Sequence, residues 1–331
     1  MNKNSTISDP KVLTVKDLSV KFVTPDYSVH AVNNVSFDLK RGEVLSLLGE
    51  SGSGKSVTLS AIQRLLPEHI TSVAGSIKIN EEEILTMPSK RLNRLRGGQI
   101  AMIFQEPATS FDPVFTVGQQ ITEGIRHHTG CSKGAANKRA LELLDLVRIP
   151  SPKDRINNYP FEMSGGMRQR AMIALALSCD PMILLADEPT TALDATVQIQ
   201  ILLLLKDIQK ELGLSIIFVT HDIGVSIEIG DRIAVMYGGQ IVETGNLSDV
   251  INDAKHPYTK GLLSSTIHAN SSGKRLHAIP GSPPNLSNAP RNCSFSERCE
   301  FANETCKNTM PDNVKLGVER YSRCLRIGVW E

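Results

Sequence analysis

The stretch Gly49 to Ser56, GESGSGKS, combines small residues, one amine and one hydroxyl at the spacing G-x-x-x-x-G-K-[ST]. That combination suits an anion with several oxygens. Gly49, Gly52 and Gly54 let the backbone curl closely around a phosphate, Lys55 brings a point charge for β and γ phosphates, and the Ser56 hydroxyl can ligate magnesium. Ser51, Ser53 and Val57 lie within or beside the same turn and count as candidate contacts. With average composition the four fixed positions coincide by chance in about one chain of this length in a hundred. A Gly/Ser turn with an incidental lysine is therefore the weaker account.

Such a loop needs a strand to deliver it and a helix to receive it. Glu43 to Leu48 is an apolar strand candidate, and apolar periodicity after the loop predicts a helix to about Leu66. The helix N-terminus then aims backbone N–H groups and a positive dipole end at one point. Three further apolar segments end in polar groups: Ile100 to Phe104 in Gln105, Met182 to Ala186 in Asp187 and Glu188, and Ser215 to Val219 in Thr220, His221 and Asp222. Adjacent carboxylates usually make only a solvated turn, and a lone histidine is more often structural than catalytic. Open parallel sheets, however, bind ligands at the carboxyl ends of their strands, so the endings reinforce one another. Asp187 would hold magnesium through water, and Glu188 would polarise the attacking water.

A second anion site is suggested by Ser164, Gly165 and Gly166 at the start of a helix. Serine alone would be an ordinary cap, but two glycines in a first turn cost stability. Tyr27, in the turn-rich Thr24 to His30, is a candidate for stacking on a purine base, with Phe22 as the alternative.

The rest of the chain supplies a frame. Val12 to Val23 and Ala31 to Leu39 alternate like paired strands, Gly75 to Leu85 reads as a short hairpin, and Ile233 to Thr244 reads as a closing hairpin turning at Gly238 and Gly239. From about Pro107 to Cys179 the pattern is helical, with helices expected over Val117 to His128, Lys138 to Val147 and from Ser164 onwards; an amphipathic helix is expected from Thr196 to Leu212. The 331 residues, 40% hydrophobic, suffice for one large domain with an appendage or for two domains. Lys plus Arg (36) against Asp plus Glu (35) leave a net charge of +1, so no overall field marks a nucleic-acid binder. No apolar run approaches the ~18 residues that span a bilayer, and Met1 to Pro10 carry no signal-like apolar core. The expected compartment is the reducing cytoplasm. Four of six cysteines, Cys293, Cys299, Cys306 and Cys324, crowd into the last 40 or so residues, and four thiols in such a compartment invite a metal. Their spacing lacks the C-x-x-C knuckles usual for zinc.

Over roughly residues 12 to 250 the chain closely resembles an ATP-binding-cassette ATPase. GESGSGKS is similar to its Walker A loop, Gln105 to its Q-loop glutamine, MSGGMRQR to its signature, LLADEP to its Walker B segment, TALD to its D-loop and His221 to its switch histidine. Met163 and Met167 are mild departures, standing where Leu and Gln are usual. The resemblance implies catalytic roles for Glu188, His221 and Gln105. It also implies ATP contacts from the loop and Val57, with magnesium held by Ser56, Gln105 and Asp187. SGGMRQR, HPYTKGLL at His256 to Leu263 and IPGSPPNL at Ile279 to Leu286 resemble the dipeptide, oligopeptide and nickel importer branch. Members of that branch bind a [4Fe-4S] cluster in this tail, which implies one on the four cysteines, with zinc as the fallback.

The expected fold is a P-loop α/β domain with an antiparallel β subdomain, a helical subdomain over about 107–180, and a small cysteine-bearing extension at 256–331. The function implied is ATP hydrolysis driving peptide import at the cytoplasmic face of the membrane. The implied partners are a second, homologous cassette, two permease subunits and an external binding protein. A nickel or metal-chelate importer and a soluble mechanical ATPase are the rivals. The latter usually carries two cassettes or a long coiled-coil insert, neither visible here. A dead scaffold is disfavoured by intact Lys55, Asp187, Glu188 and His221.

Overall fold

The computed structural model describes residues 10–106, 110–191, 193–265 and 279–329. Pro107, the expected start of the helical insert, and Ala192 of TALD lie outside them. Two sheets organise the chain. One is antiparallel, in the order β2-β1-β4-β5, from β1 (Lys11–Val23), β2 (Ser28–Lys40), β4 (Thr71–Ile79) and β5 (Glu82–Glu83). β1 and β2 pair from Lys11↔Lys40 to Val23↔Ser28, which confines the connecting turn to Thr24–Tyr27.

The second sheet carries the strands whose ends matter. Its order is β11-β12-β10-β9-β3-β8-β7-β6, built from β3 (Val44–Leu48), β6 (Ile100–Ile103), β7 (Ile183–Asp187), β8 (Ser215–Thr220), β9 (Arg232–Tyr237), β10 (Gln240–Asn246), β11 (Val314–Gly317) and β12 (Arg320–Ser322). The pairs β3–β8, β3–β9, β7–β8 and β6–β7 are parallel. Every residue of β3, β7 and β8 is buried, as continuous apolar runs covered on both faces must be.

Helix α1 (Lys55–Ile62) follows the glycine loop and stops short of the expected Leu66. Arg64 takes a left-handed backbone, φ 50°, and Pro67 has no N–H to continue a helical ladder. The insert holds helices Val117–Thr129, Lys133–Leu146 and Gly165–Ala176. Thr116 and Gln119 form a reciprocal cap and left-handed Gly130 ends the first helix. Ser132 caps the second, which therefore begins well before the expected Lys138. Among the described residues no helix is long and apolar enough to cross a membrane.

The tail is more than an appendix. β12 hydrogen-bonds to β10, pairing Glu243 with Ser322, and so widens the central sheet. Tyr258 and Phe295, both buried, pack with Tyr237 at ring-centroid distances of 4.5 and 5.1 Å. Buried Glu243 accepts from the backbone N–H groups of Lys255 (2.7 Å) and His256 (2.9 Å), which fastens the start of the tail helix Pro257–Ser264.

His256 caps that helix as a neutral acceptor, its Nδ1 receiving the Tyr258 N–H at 3.1 Å. Burial lowers its pKa from 6.5 to about 3. The folded state thus favours the unprotonated ring, so the stability that His256 contributes is complete above about pH 6.5 and is lost as pH falls towards 3. The slope is about 1.4 kcal/mol per pH unit. Burial of Glu243 pushes its carboxyl pKa up and works the opposite way, so the histidine must be isolated by substitution. Asn at this position keeps a side-chain acceptor without titrating. Urea unfolding of wild type and His256→Asn between about pH 7 and 4.5 should show wild type losing ground on acidification; parallel pH curves would reject the histidine as the cause.

Candidate functional site

The loop between β3 and α1 forms the floor of a cleft of about 910 Å³ that reaches from Phe22 and Tyr27 to Gln105, Glu188 and His221. Gly54 shows why glycine is needed: its φ is 102°, and a Cβ would stand 2.5 Å from the Ala31 carbonyl oxygen. At Gly49 a Cβ would overlap the carbonyl of Met236. Both clashes are with backbone, which cannot swing aside as a side chain can.

Lys55 is 4% exposed, and its Nζ donates to the carbonyls of Gly49 (2.6 Å) and Glu50 (2.9 Å). Burial lowers its pKa, opposed by the charges of Glu188, Asp187 and Glu50. Ser56 Oγ donates to Asp187 Oδ1 at 2.9 Å, which brings the end of β7 against the start of α1. Burial raises the Asp187 pKa despite that hydrogen bond. A hydroxyl and a buried carboxylate side by side are a donor pair suited to a hard divalent cation.

Glu188, just past β7, has a left-handed backbone with φ 44°, a conformation costing about 1–2 kcal/mol in a non-glycine residue. Its carboxylate accepts from Thr191 Oγ1 (2.9 Å) and from the His221 ring N–H (Nδ1, 3.1 Å). Both contacts fall on Oε2, which fixes the orientation of the carboxylate in the cleft wall. Gln105 also lines the cleft, beyond β6.

Not every expected site residue gathers here. Ser164, Gly165 and Gly166 do not line the cleft. Ser164 Oγ accepts from the Met167 N–H at 3.3 Å, and a Cβ on Gly166 would meet Val197 Cγ1 at 2.8 Å. Met163 is buried in the insert's core, which explains why it can replace leucine. At the end of the cleft away from Glu188, Phe22 and Tyr27 both line the wall, joined by Val29, Ile70 and, from the tail, Leu286. The His30 N–H donates to the Leu286 carbonyl at 2.7 Å. Nothing in the local pattern around Leu286 signals this; only the tertiary fold brings it there.

The expected cysteine metal centre is overturned. Cys293, Cys299, Cys306 and Cys324 do face one another, but around a cavity of only about 10 Å³, walled by Phe295, Phe301 and Leu325. That is room for about one water. Burial pushes the Cys293 thiol up to about 11 and raises Cys299 as well, whereas ligation requires thiolates. Among the described residues no group of three or more His, Cys, Asp or Glu side chains is arranged to hold a metal ion. Neither an iron–sulfur cluster nor zinc is supported; Cys306 is buried and Cys293 and Cys299 pack against the tail's apolar cluster as small hydrophobic groups.

Comparison with known proteins agrees with the cleft. The family model for the ABC transporter matches residues 32–191, and that for the oligopeptide/dipeptide transporter C-terminal region matches residues 242–306. The oligopeptide transport ATP-binding protein OppD of Bacillus subtilis (strain 168) is 48% identical over 313 residues, covering 94% of this chain and 87% of the relative. The dipeptide transport ATP-binding protein DppD of the same organism is 46% identical, covering 91% and 90%. A dimeric bacterial ABC transporter cassette superposes with a TM-score of 0.64 at 30% identity, covering 71% of this chain and 98% of that one. A post-hydrolysis structure of the same cassette, bound to ADP and Pi, matches equally well. The chain belongs to the ABC transporter ATPase family. Within it, the matched tail puts the chain in the branch of oligopeptide and dipeptide transport ATP-binding proteins.

The cleft's backbone constraint gives a direct test. Gly49→Ala should weaken binding of a fluorescent ATP analogue by about tenfold or more, since relieving a backbone overlap displaces the loop by a sizeable part of an ångström. Unchanged affinity would mean that the loop is not the nucleotide seat.

Proposed function

We propose that this chain is the ATP-hydrolysing subunit of an importer of di- or oligopeptides. The observation that carries the cargo class is identity of nearly one half to OppD along 94% of the chain, cassette and tail together. The base lies against Tyr27 or Phe22, the phosphates lie in the loop from Gly49 to Ser56, and Lys55 turns from its carbonyl partners to the β and γ phosphates. Magnesium would be held by Ser56, Asp187 and Gln105, and would neutralise charge on the phosphates. Glu188, steered by Thr191 and His221, orients the attacking water.

The cleft alone cannot enclose the γ phosphate, because the signature segment Ser164–Gly166 takes no part in its walls. A second cassette must bring its own signature segment across, and the dimeric solved relative supports that arrangement. Closing around ATP and reopening after hydrolysis would shift the populations of two states of the permease subunits. The chain would act peripherally at the cytoplasmic face, with a homologous second cassette, two permeases and an external peptide-binding protein.

Glu188→Gln should retain ATP binding and lower hydrolysis by a factor on the order of 10² to 10⁴. The assay is phosphate release by the chain with its partner cassette and permeases. Wild-type turnover by that variant would remove Glu188 from the chemistry. In the same assembly, turnover should rise when the binding protein carries a peptide; stimulation only by a metal chelate would reassign the cargo.

A further inference from the structure

The tail reaches the phosphate loop itself. Arg298, whose side chain is 6% exposed, makes a two-pronged ion pair with Glu50, Nη1 to Oε2 at 2.7 Å and Nη2 to Oε1 at 3.1 Å. Glu50 is the second residue of the loop, lines the cleft, and offers its carbonyl to Lys55. Its backbone N–H donates to the Tyr258 hydroxyl at 2.9 Å, a second tie from the tail. Arg298 is held in turn by the carbonyls of Pro280 (2.8 Å) and Ile279 (3.2 Å) and by the Tyr237 hydroxyl (3.3 Å). Its fork is therefore fixed before any ligand arrives.

A carboxylate in a phosphate-binding loop is an electrostatic liability. Left unpaired, Glu50 would repel the phosphates and compete for the Lys55 ammonium, which already feels it as a neighbouring charge. A planar guanidinium matches both carboxylate oxygens and keeps its charge at any pH, which a lysine in the same place would do less well. We propose that Arg298 is a positioning residue of the nucleotide site: it neutralises Glu50 and holds its carboxylate off the phosphates, so that the folded tail is a condition for tight ATP binding. Because this rests on the cleft being the ATP seat, the wild-type titration serves as its own control.

Repulsion by a bared Glu50 should scale with the charge of the ligand. In the full-length chain, Arg298→Gln should weaken MgATP binding by about tenfold, as expected for one uncompensated charge at partly screened range. ADP should suffer less, and added salt should shrink the difference. Glu50→Gln in the Arg298→Gln background should bring the MgATP affinity back to within a few-fold of wild type, because the charge to be masked is gone. Arg298→Lys should fall between wild type and Arg298→Gln.

Thermal unfolding of each variant separates positioning from mere support of the tail. If Arg298→Gln lowers the melting temperature but leaves the ATP-to-ADP affinity ratio as in wild type, the proposal fails. It fails equally if the double variant binds as poorly as the single one. Wild-type chain that binds no ATP would overturn the nucleotide seat itself, and with it this role for Arg298.

Discussion

A buried ammonium governs this structure. Lys55 sits at the first turn of α1, where the helix dipole is already positive, and burial works against its charge. Two carbonyls, a serine and three nearby carboxylates keep it tolerable there. The loop must fold back to present those carbonyls, which demands left-handed glycines at positions 52 and 54. The strand ends of β7 and β8 must arrive at the right depth to bring Asp187 and His221 alongside. Parallel pairing of β3 with β8 and of β8 with β7 fixes that depth register by register.

The sheet therefore acts as a ruler for charge. Asp187 ends β7 and meets Ser56, while Glu188 turns out through a strained backbone to meet His221 and Thr191. One residue of slip in β7 would carry Asp187 away from Ser56 and Glu188 away from His221 and Thr191.

Most of this was legible in the sequence because it is local. The glycine loop, the polar strand ends and the apolar runs of β3, β7 and β8 each declare themselves within a few residues, and family resemblance joined them. What escaped depends on distance along the chain. Leu286 and Arg298 approach the cleft only because β12 pairs with β10 and Phe295 packs on Tyr237. The cysteines misled for a related reason: the sequence brings them close together but does not show the cramped, apolar cavity between them, where burial raises the thiol pKa of Cys293 and Cys299. Helix ends were misjudged where a single backbone angle, as at Arg64, outweighed a pattern of apolar residues.

The pairing of β12 onto β10 has a consequence for how the molecule is made. Until residues 320–322 are in place, β10 presents an open row of backbone donors and acceptors beside well-formed strands, a template for joining another chain. Once the tail docks, that row is covered and the exposed border becomes β11, only four residues long and carrying Lys315. During synthesis the cassette's sheet precedes its own cover, so a nascent or truncated chain passes through a sticky interval that the finished protein has closed.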